Sequence, residues 1–294
     1  MDEAADFLAY MQADRACSAA TVSTYRESLG SFERYFRSLD DGLRWDNLDA
    51  DVVRSWMAAR IARGRNPRTV AKDLSALRSL YKYLLRTRRT NSDPTRLLRS
   101  PKTHAPLPAF IKDGEMDRLL DEVTFPDTDK GARDHTILLT FYTTGLRASE
   151  LIGLNDTDID FERNQLRVTG KRNKQRIVPF GEELAQALRS LLTRRGSHSG
   201  NSPAPVFTGR NGRRITYAVV RNLVIHYLSL VTTQKKKSPH VLRHTFATAM
   251  LSHGAELEAI KELLGHESIG TTEVYTHTTF AELKKEYEHA HPRA

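Results

Sequence analysis

The chain has 294 residues, of which 39% are hydrophobic and 28% charged, and carries a net charge of +9. This is enough apolar material for one large or two ordinary buried cores. There is no apolar run of the eighteen or more residues that a membrane span requires. One cysteine, Cys17, excludes an internal disulfide and fits a reducing compartment; the acidic start Met1-Asp2-Glu3 is unlike a signal peptide, so the expected location is the cytoplasm.

The charge is unevenly spread. Residues 1–50 hold five Arg/Lys against ten Asp/Glu, whereas residues 51–100 hold thirteen against three. Segregation of this kind points to an anionic partner, with nucleic acid the first candidate. The first hundred residues read as helices. Phe7, Leu8 and Met11 begin one apolar stripe, and Tyr25, Leu29, Phe32, Tyr35, Phe36 and Leu39 form a second at helical spacing. A third helix includes Val52, Val53, Trp56 and Met57 and ends near Gly64-Arg65-Asn66-Pro67. In the fourth, Val70, Leu74, Leu77, Tyr81 and Leu84 make one apolar face. At 100° per residue, Arg68, Lys72, Lys82 and Arg86 fall within about 80° of one another on the opposite side. A cationic ridge backed by a core face suits a helix lying along a DNA backbone, although a merely solvated face has the same pattern.

Residues 99–109 contain Pro101, Pro106 and Pro108 and read as an extended linker between domains at 1–98 and 110–294. A new helix begins near Asp113-Gly114-Glu115-Met116, and the apolar Ile137-Leu138-Leu139 segment leads into Gly145-Leu146-Arg147. Ile159-Asp160-Phe161, Gln165-Leu166-Arg167-Val168 and Arg176-Ile177-Val178-Pro179-Phe180 are predicted strands, and the turn Gly170-Lys171-Arg172-Asn173-Lys174 is strongly basic. Residues 183–194 return to helix. The fold class is therefore mainly α with a small β hairpin or sheet, in two domains.

The most informative strings lie toward the C-terminus. Ser238-Pro239-His240-Val241-Leu242-Arg243-His244 is followed by Leu263-Leu264-Gly265-His266 and by Thr272-Glu273-Val274-Tyr275; upstream stands Arg147-Ala148-Ser149-Glu150-Leu151. Two arginines, two histidines and a tyrosine are the residue types needed to break a DNA phosphodiester without a metal. A tyrosine can store the bond as a phosphodiester, but its pKa near 10 makes it a weak nucleophile until activated. Charge that develops on phosphorus calls for fixed cations, and arginine offers a planar fork that stays protonated.

This constellation resembles the tyrosine recombinases, and among them the Xer-type chromosome-resolving enzymes. The resemblance implies that Arg147 and Arg243 clamp the phosphate, that His240 assists proton loss from the nucleophile, and that His266 donates a hydrogen bond to the phosphate. It further implies that Lys171 protonates the 5′ leaving oxygen, that Tyr275 is the nucleophile, and that Glu150 helps to order the site. The family turn usually reads Gly-Lys-Gly, whereas Arg172 follows Lys171 here; Lys174 is the alternative acid. The implied architecture is a two-domain DNA clamp, with a helical core-binding domain of SAM-like type ahead of an α+β catalytic domain. The implied partners are double-stranded DNA with an inverted-repeat site, a homo- or hetero-tetramer spanning two such sites, and a second recombinase or a DNA translocase. No cofactor and no metal are expected.

His240 and His244 stand four apart, as in a zinc-binding His-Glu-x-x-His, but Val241 replaces the glutamate that motif needs. Asp156, Asp158 and Asp160 alternate like a calcium loop, yet Phe161 occupies its glycine position. Gly170-Lys171 lacks the following Ser/Thr of a phosphate-binding loop. Two functional alternatives remain: a mobile-element integrase of the same chemistry, and a non-catalytic DNA-binding protein on this scaffold. The C-terminal amphipathic segment Phe280, Leu283 and Tyr287 could dock on its own domain or on a neighbouring protomer.

Overall fold

A computed structural model of the chain describes residues 3–15, 17–102, 109–170, 173–196, 203–265 and 280–294. It divides into two compact units, residues 1–106 and 107–294.

The N-terminal unit contains helices α1 (Glu3–Ala13), α2 (Ala19–Leu39), α3 (Ala50–Ala62) and α4 (Pro67–Arg86). Local chemistry marks their starts. The Ser18 hydroxyl, the Asp49 carboxylate and the Asn66 amide oxygen each accept from a first-turn amide of the helix that follows, and Pro67 opens α4 with φ already suited to it. The predicted apolar face of α4 is the buried one: Val70, Leu74, Leu77, Tyr81 and Leu84 are all at most 1% exposed. It meets Phe32 and Phe36 of α2 and Trp56 of α3 in one core, against which the half-buried Cys17 also packs. Leu39, expected on the apolar stripe of α2, is 54% exposed because the helix ends there and Trp45 and Leu48 of the following loop complete the core.

That core contains one charged knot. Asp73 lies on α4 between two apolar positions and is 4% exposed. Its carboxylate accepts from Ser28 Oγ at 2.7 Å and from Arg60 Nη2 at 2.5 Å, and the Arg60 guanidinium also lies over the Trp56 ring. A buried carboxylate is tolerated only when paired and hydrogen-bonded, and this one links α2, α3 and α4.

The C-terminal unit has α5 (Asp113–Asp117), which continues as a π-helical turn, then α6 (Asp129–Thr144) and α7 (Ala148–Gly153). An antiparallel sheet in the order β1 (Ile159–Asp160), β2 (Gln165–Thr169), β3 (Gln175–Pro179) follows. Helices α8 (Glu182–Arg195), α9 (Tyr217–Val231), α10 (Pro239–Ser252), α11 (Leu257–Leu264) and α12 (Phe280–Ala290) complete it. The strands turn Leu166, Val168 and Val178 into the core, where they join α6, α8, α9 and the start of α10. Leu283, Tyr287 and Ala290 of α12 pack with Phe246, Met250, Ile260 and Leu263 of α10 and α11, so this segment docks within its own unit. Its extension is pinned further by Arg293, which forms salt bridges with Asp117, Asp121 and Glu183. No described helix is long and apolar enough to cross a membrane.

Replacing Asp73 with alanine removes the carboxylate partner of Arg60 at the edge of the core and leaves it only the Ser31 hydroxyl. It should destabilise the N-terminal unit by about 2–3 kcal/mol. Both tryptophans of the chain, Trp45 and Trp56, lie in this core. Urea unfolding followed by tryptophan fluorescence therefore reads this unit alone; an unchanged midpoint would show that the knot contributes nothing.

Candidate active site

The turn Gly145-Leu146-Arg147 ends α6 and starts α7. Gly145 adopts a left-handed conformation (φ 60°), and a Cβ there would come within 2.5 Å of Phe246 and 2.8 Å of Leu264. Only glycine satisfies both conditions. The chain then leaves α6 at an angle that turns the Gly145 carbonyl toward α10 and sets Arg147 as the residue capping α7. Glu150, in the first turn of α7, reaches back to accept from the Arg147 backbone amide at 2.8 Å.

Glu150 is 5% exposed and serves as the hub of the site. Its Oε1 accepts from Arg147 Nη1 at 2.7 Å and from Arg176 Nη1 at 2.8 Å. Its Oε2 accepts from Arg176 Nη2 at 2.9 Å and lies 4.0 Å from Arg243 Nη1. Arg147 and Arg243, more than ninety residues apart, thus approach one carboxylate. Each is also fixed by backbone. Arg243 Nη1 donates to Gly145 O at 2.7 Å and its Nη2 to Leu264 O at 2.6 Å, while Arg147 Nη2 donates to Gly265 O at 3.0 Å. The last carbonyls of α11, which have no partner within their helix, accept from the arginines instead.

The titration behaviour follows from this packing. Burial pushes the Glu150 carboxyl up, but the Arg176 hydrogen bonds and charge, together with the Arg147 amide and side chain, outweigh it and hold the pKa at about 2. For Arg243, burial and the adjacent Arg147 cation push the pKa down to about 10, against the pull of Glu150. Three guanidinium groups around one carboxylate leave a surplus of two positive charges. Within the described residues, Arg147 and Arg243 each use only two of their five N–H donors on these anchors. A surplus of charge with donors still to offer suits a phosphate group.

His240 lies in the first turn of α10, exposed, and three residues before Arg243 it shares that helix face. Lys171, His266 and Tyr275 lie outside the described residues, but the residue ahead of each of the first two is placed. A Cβ on Gly170 would stand 3.5 Å from Glu150 Oε1, and Gly265 is the carbonyl acceptor of Arg147. Lys174, the alternative acid, is exposed on the same turn, and its carbonyl accepts the Gly170 amide at 2.8 Å. Tyr142, Tyr227 and Tyr287 are buried, and burial raises the pKa of each phenol, which disfavours any of them as a nucleophile. On α4, Arg68, Lys72, Lys82 and Arg86 are all exposed, with Arg86 over the Tyr10 ring at 4.5 Å.

Arg176 is the site residue that motif reading missed. A signal was present: in strands of period two, Arg176 falls on the face of Val178 and pairs across the sheet with Val168, both buried. An arginine aimed at a core implies a carboxylate waiting there.

Known proteins resemble this chain over nearly its whole length. The profile of the phage integrase family matches residues 109–282, and that of the phage integrase N-terminal SAM-like domain matches residues 4–88. A tyrosine recombinase XerC from Chlorobaculum tepidum is 36% identical over 315 aligned residues, covering 98% of this chain and 94% of that protein. A tyrosine recombinase XerD from Oceanobacillus iheyensis is 33% identical, covering 98% of both. Among solved structures, the XerH site-specific recombinase bound to a palindromic difH substrate in a post-cleavage complex superposes with a TM-score of 0.73. That match has 20% identity and covers 95% of this chain and 78% of that one, a likeness of fold.

Glu150 has a folded pKa below its ordinary 4.5, so its contribution to stability is complete above that value and is lost as the pH falls toward 2. Glu150→Gln should destabilise the C-terminal unit by about 3 kcal/mol at pH 7, with the difference from the native chain closing between about pH 4.5 and pH 2. Hydrogen exchange of α10 amides across that range tests this; a difference independent of pH would refute it.

Proposed function

Because the chain belongs to the phage integrase family of tyrosine recombinases, we propose that it cleaves and rejoins DNA at a specific site through Tyr275. The phenolic oxygen attacks the scissile phosphorus, the bond from phosphorus to O5′ breaks, and a 3′-phosphotyrosine and a free 5′-hydroxyl result. Arg147 and Arg243 hold the non-bridging oxygens and meet the charge that develops on them. His240 accepts the phenolic proton, His266 donates to the phosphate, and Lys171 gives the leaving oxygen its proton. Attack of the 5′-hydroxyl from a partner duplex reverses the chemistry, and two such exchanges pass through a Holliday junction.

The observation that carries this reading is the convergence of Arg147 and Arg243 on Glu150, with their remaining donors available to a phosphate. The N-terminal helical unit, through Arg68, Lys72, Lys82 and Arg86, would grip the other side of the duplex, with residues 99–109 as linker. A tetramer on two inverted-repeat sites follows from the exchange of two strand pairs, with a second recombinase or a translocase as further partners. The Xer names of the relatives favour resolution of chromosome or plasmid dimers in the cytoplasm over integration of a mobile element.

Covalent capture tests the chemistry. The protein and its Tyr275→Phe variant are incubated with genomic fragments and denatured in detergent, and the DNA still attached is sequenced. Adducts from the native chain alone, gathered at one inverted repeat, are expected; adducts from the variant would remove Tyr275 from its role. The Lys72→Ala, Lys82→Ala pair should weaken binding on all sequences and flatten the slope of log K against log salt by about 2. An unchanged slope would mean that this face of α4 is only solvated.

A further inference from the structure

Arg176 makes three contacts that no single structural need explains. Its Nη1 and Nη2 take both oxygens of Glu150 on α7, and its Nε donates to the Leu263 carbonyl at 2.8 Å, at the end of α11. It is the second residue of β3, five residues after Lys171, and is fixed there by the pairing of Val168 with Arg176 and Thr169 with Gln175. A Cβ on Gly265 would press on its side chain at 3.2–3.3 Å, so α11 is seated against it. One rigid fork therefore joins the β2–β3 hairpin, the acidic hub of the phosphate-binding arginines, and the segment that leads into His266.

Charge alone does not account for it. Neutralising Glu150 explains the two Nη bonds, but not the third, from Nε to the backbone of α11. What Arg176 adds is geometry: two bonds to one carboxylate and a third to a carbonyl of another element, from a guanidinium that cannot rotate without losing one of them. We infer that Arg176 is a positioning residue, which locks the β2–β3 hairpin onto the Glu150 hub so that the acid on its turn stands at the leaving oxygen of the phosphate held by Arg147 and Arg243. This rests on the strand-cleavage reading above and adds to it the element that brings acid and phosphate clamp together.

The test uses the full chain on a nicked duplex carrying the inverted repeat recovered by covalent capture. A second duplex replaces the scissile O5′ by sulfur. In both, the Tyr275–phosphorus bond forms; in the first the P–O5′ bond breaks and the oxygen takes a proton, and in the second the P–S bond breaks and a thiolate leaves unprotonated. Arg176→Lys keeps the charge and loses the fork. It should slow cleavage of the oxygen substrate by about 10–100-fold while leaving DNA affinity within about twofold. On the sulfur substrate its rate should return to about that of the native chain. Loss of folded protein would lower both rates equally, so the ratio of the two isolates positioning of the acid. An oxygen rate like that of the native chain, or a defect that sulfur leaves in place, overturns the inference. Lys171→Ala run alongside separates the two readings. If it is not rescued while Arg176→Lys is, the inference stands and the acid is another residue of the turn, with Lys174 first; if neither is rescued, both assignments fall.

Discussion

A single carboxylate surrounded by arginines governs the C-terminal unit. Glu150 is buried, and an ionised carboxylate without partners in that position would cost several kcal/mol. The cost is offset because Arg147, Arg176 and the Arg147 backbone amide saturate its oxygens, with Arg243 close by. Those arginines come from α7, β3 and α10, which are distant in sequence. Satisfying one buried charge therefore determines how the sheet, the turn after α6 and the pair α10–α11 sit against one another. The tight approach at Gly145 and the end of α11 at Gly265 follow from the same demand, since each places a carbonyl on an arginine.

The arrangement also explains how two like charges can be held together before any substrate arrives. Arg147 and Arg243 repel each other, and burial lowers the pKa of Arg243 toward 10, still well above neutrality. Glu150, which approaches both, and the helix-end carbonyls that take further donors offset that repulsion. Electrostatic catalysis is effective when the dipoles and charges are already oriented, so that little reorganisation accompanies the reaction. A site whose cations are fixed by main chain and by a saturated carboxylate meets that condition.

Much of this was legible in the residues alone. The apolar face of α4 follows from its spacing, because a stripe at steps of three and four can only be one side of a helix. The order of β1, β2 and β3 follows from alternation and turn chemistry. Arg147 and Arg243 were legible because they stand in extended strings of recognisable residues. Asp73 and Arg176 were not, and for one reason: each is a charged residue on an otherwise buried face whose partner lies on another element. Periodicity assigns such a residue to the core and says nothing of what neutralises it. Arg60 and Glu150 supply the answers, and their pairing is a property of tertiary structure. The sequence leaves the docking of α12 open; in the fold, Leu283 and Tyr287 pack against α10 and α11 of their own unit.

The use of helix-end carbonyls as anchors has a consequence for how the protein responds to heat. Leu263 and Leu264 end a helix of eight residues that Gly265 caps, and terminal turns open more readily than the core beneath them. When that turn opens, Arg147, Arg176 and Arg243 each lose an acceptor together, and Leu263 and Leu264 leave the small core around Phe246, while the larger core that contains Leu242 stays packed. Thermal inactivation would then run ahead of thermal unfolding, with a temperature interval in which the larger core is folded and the arginine cluster is not.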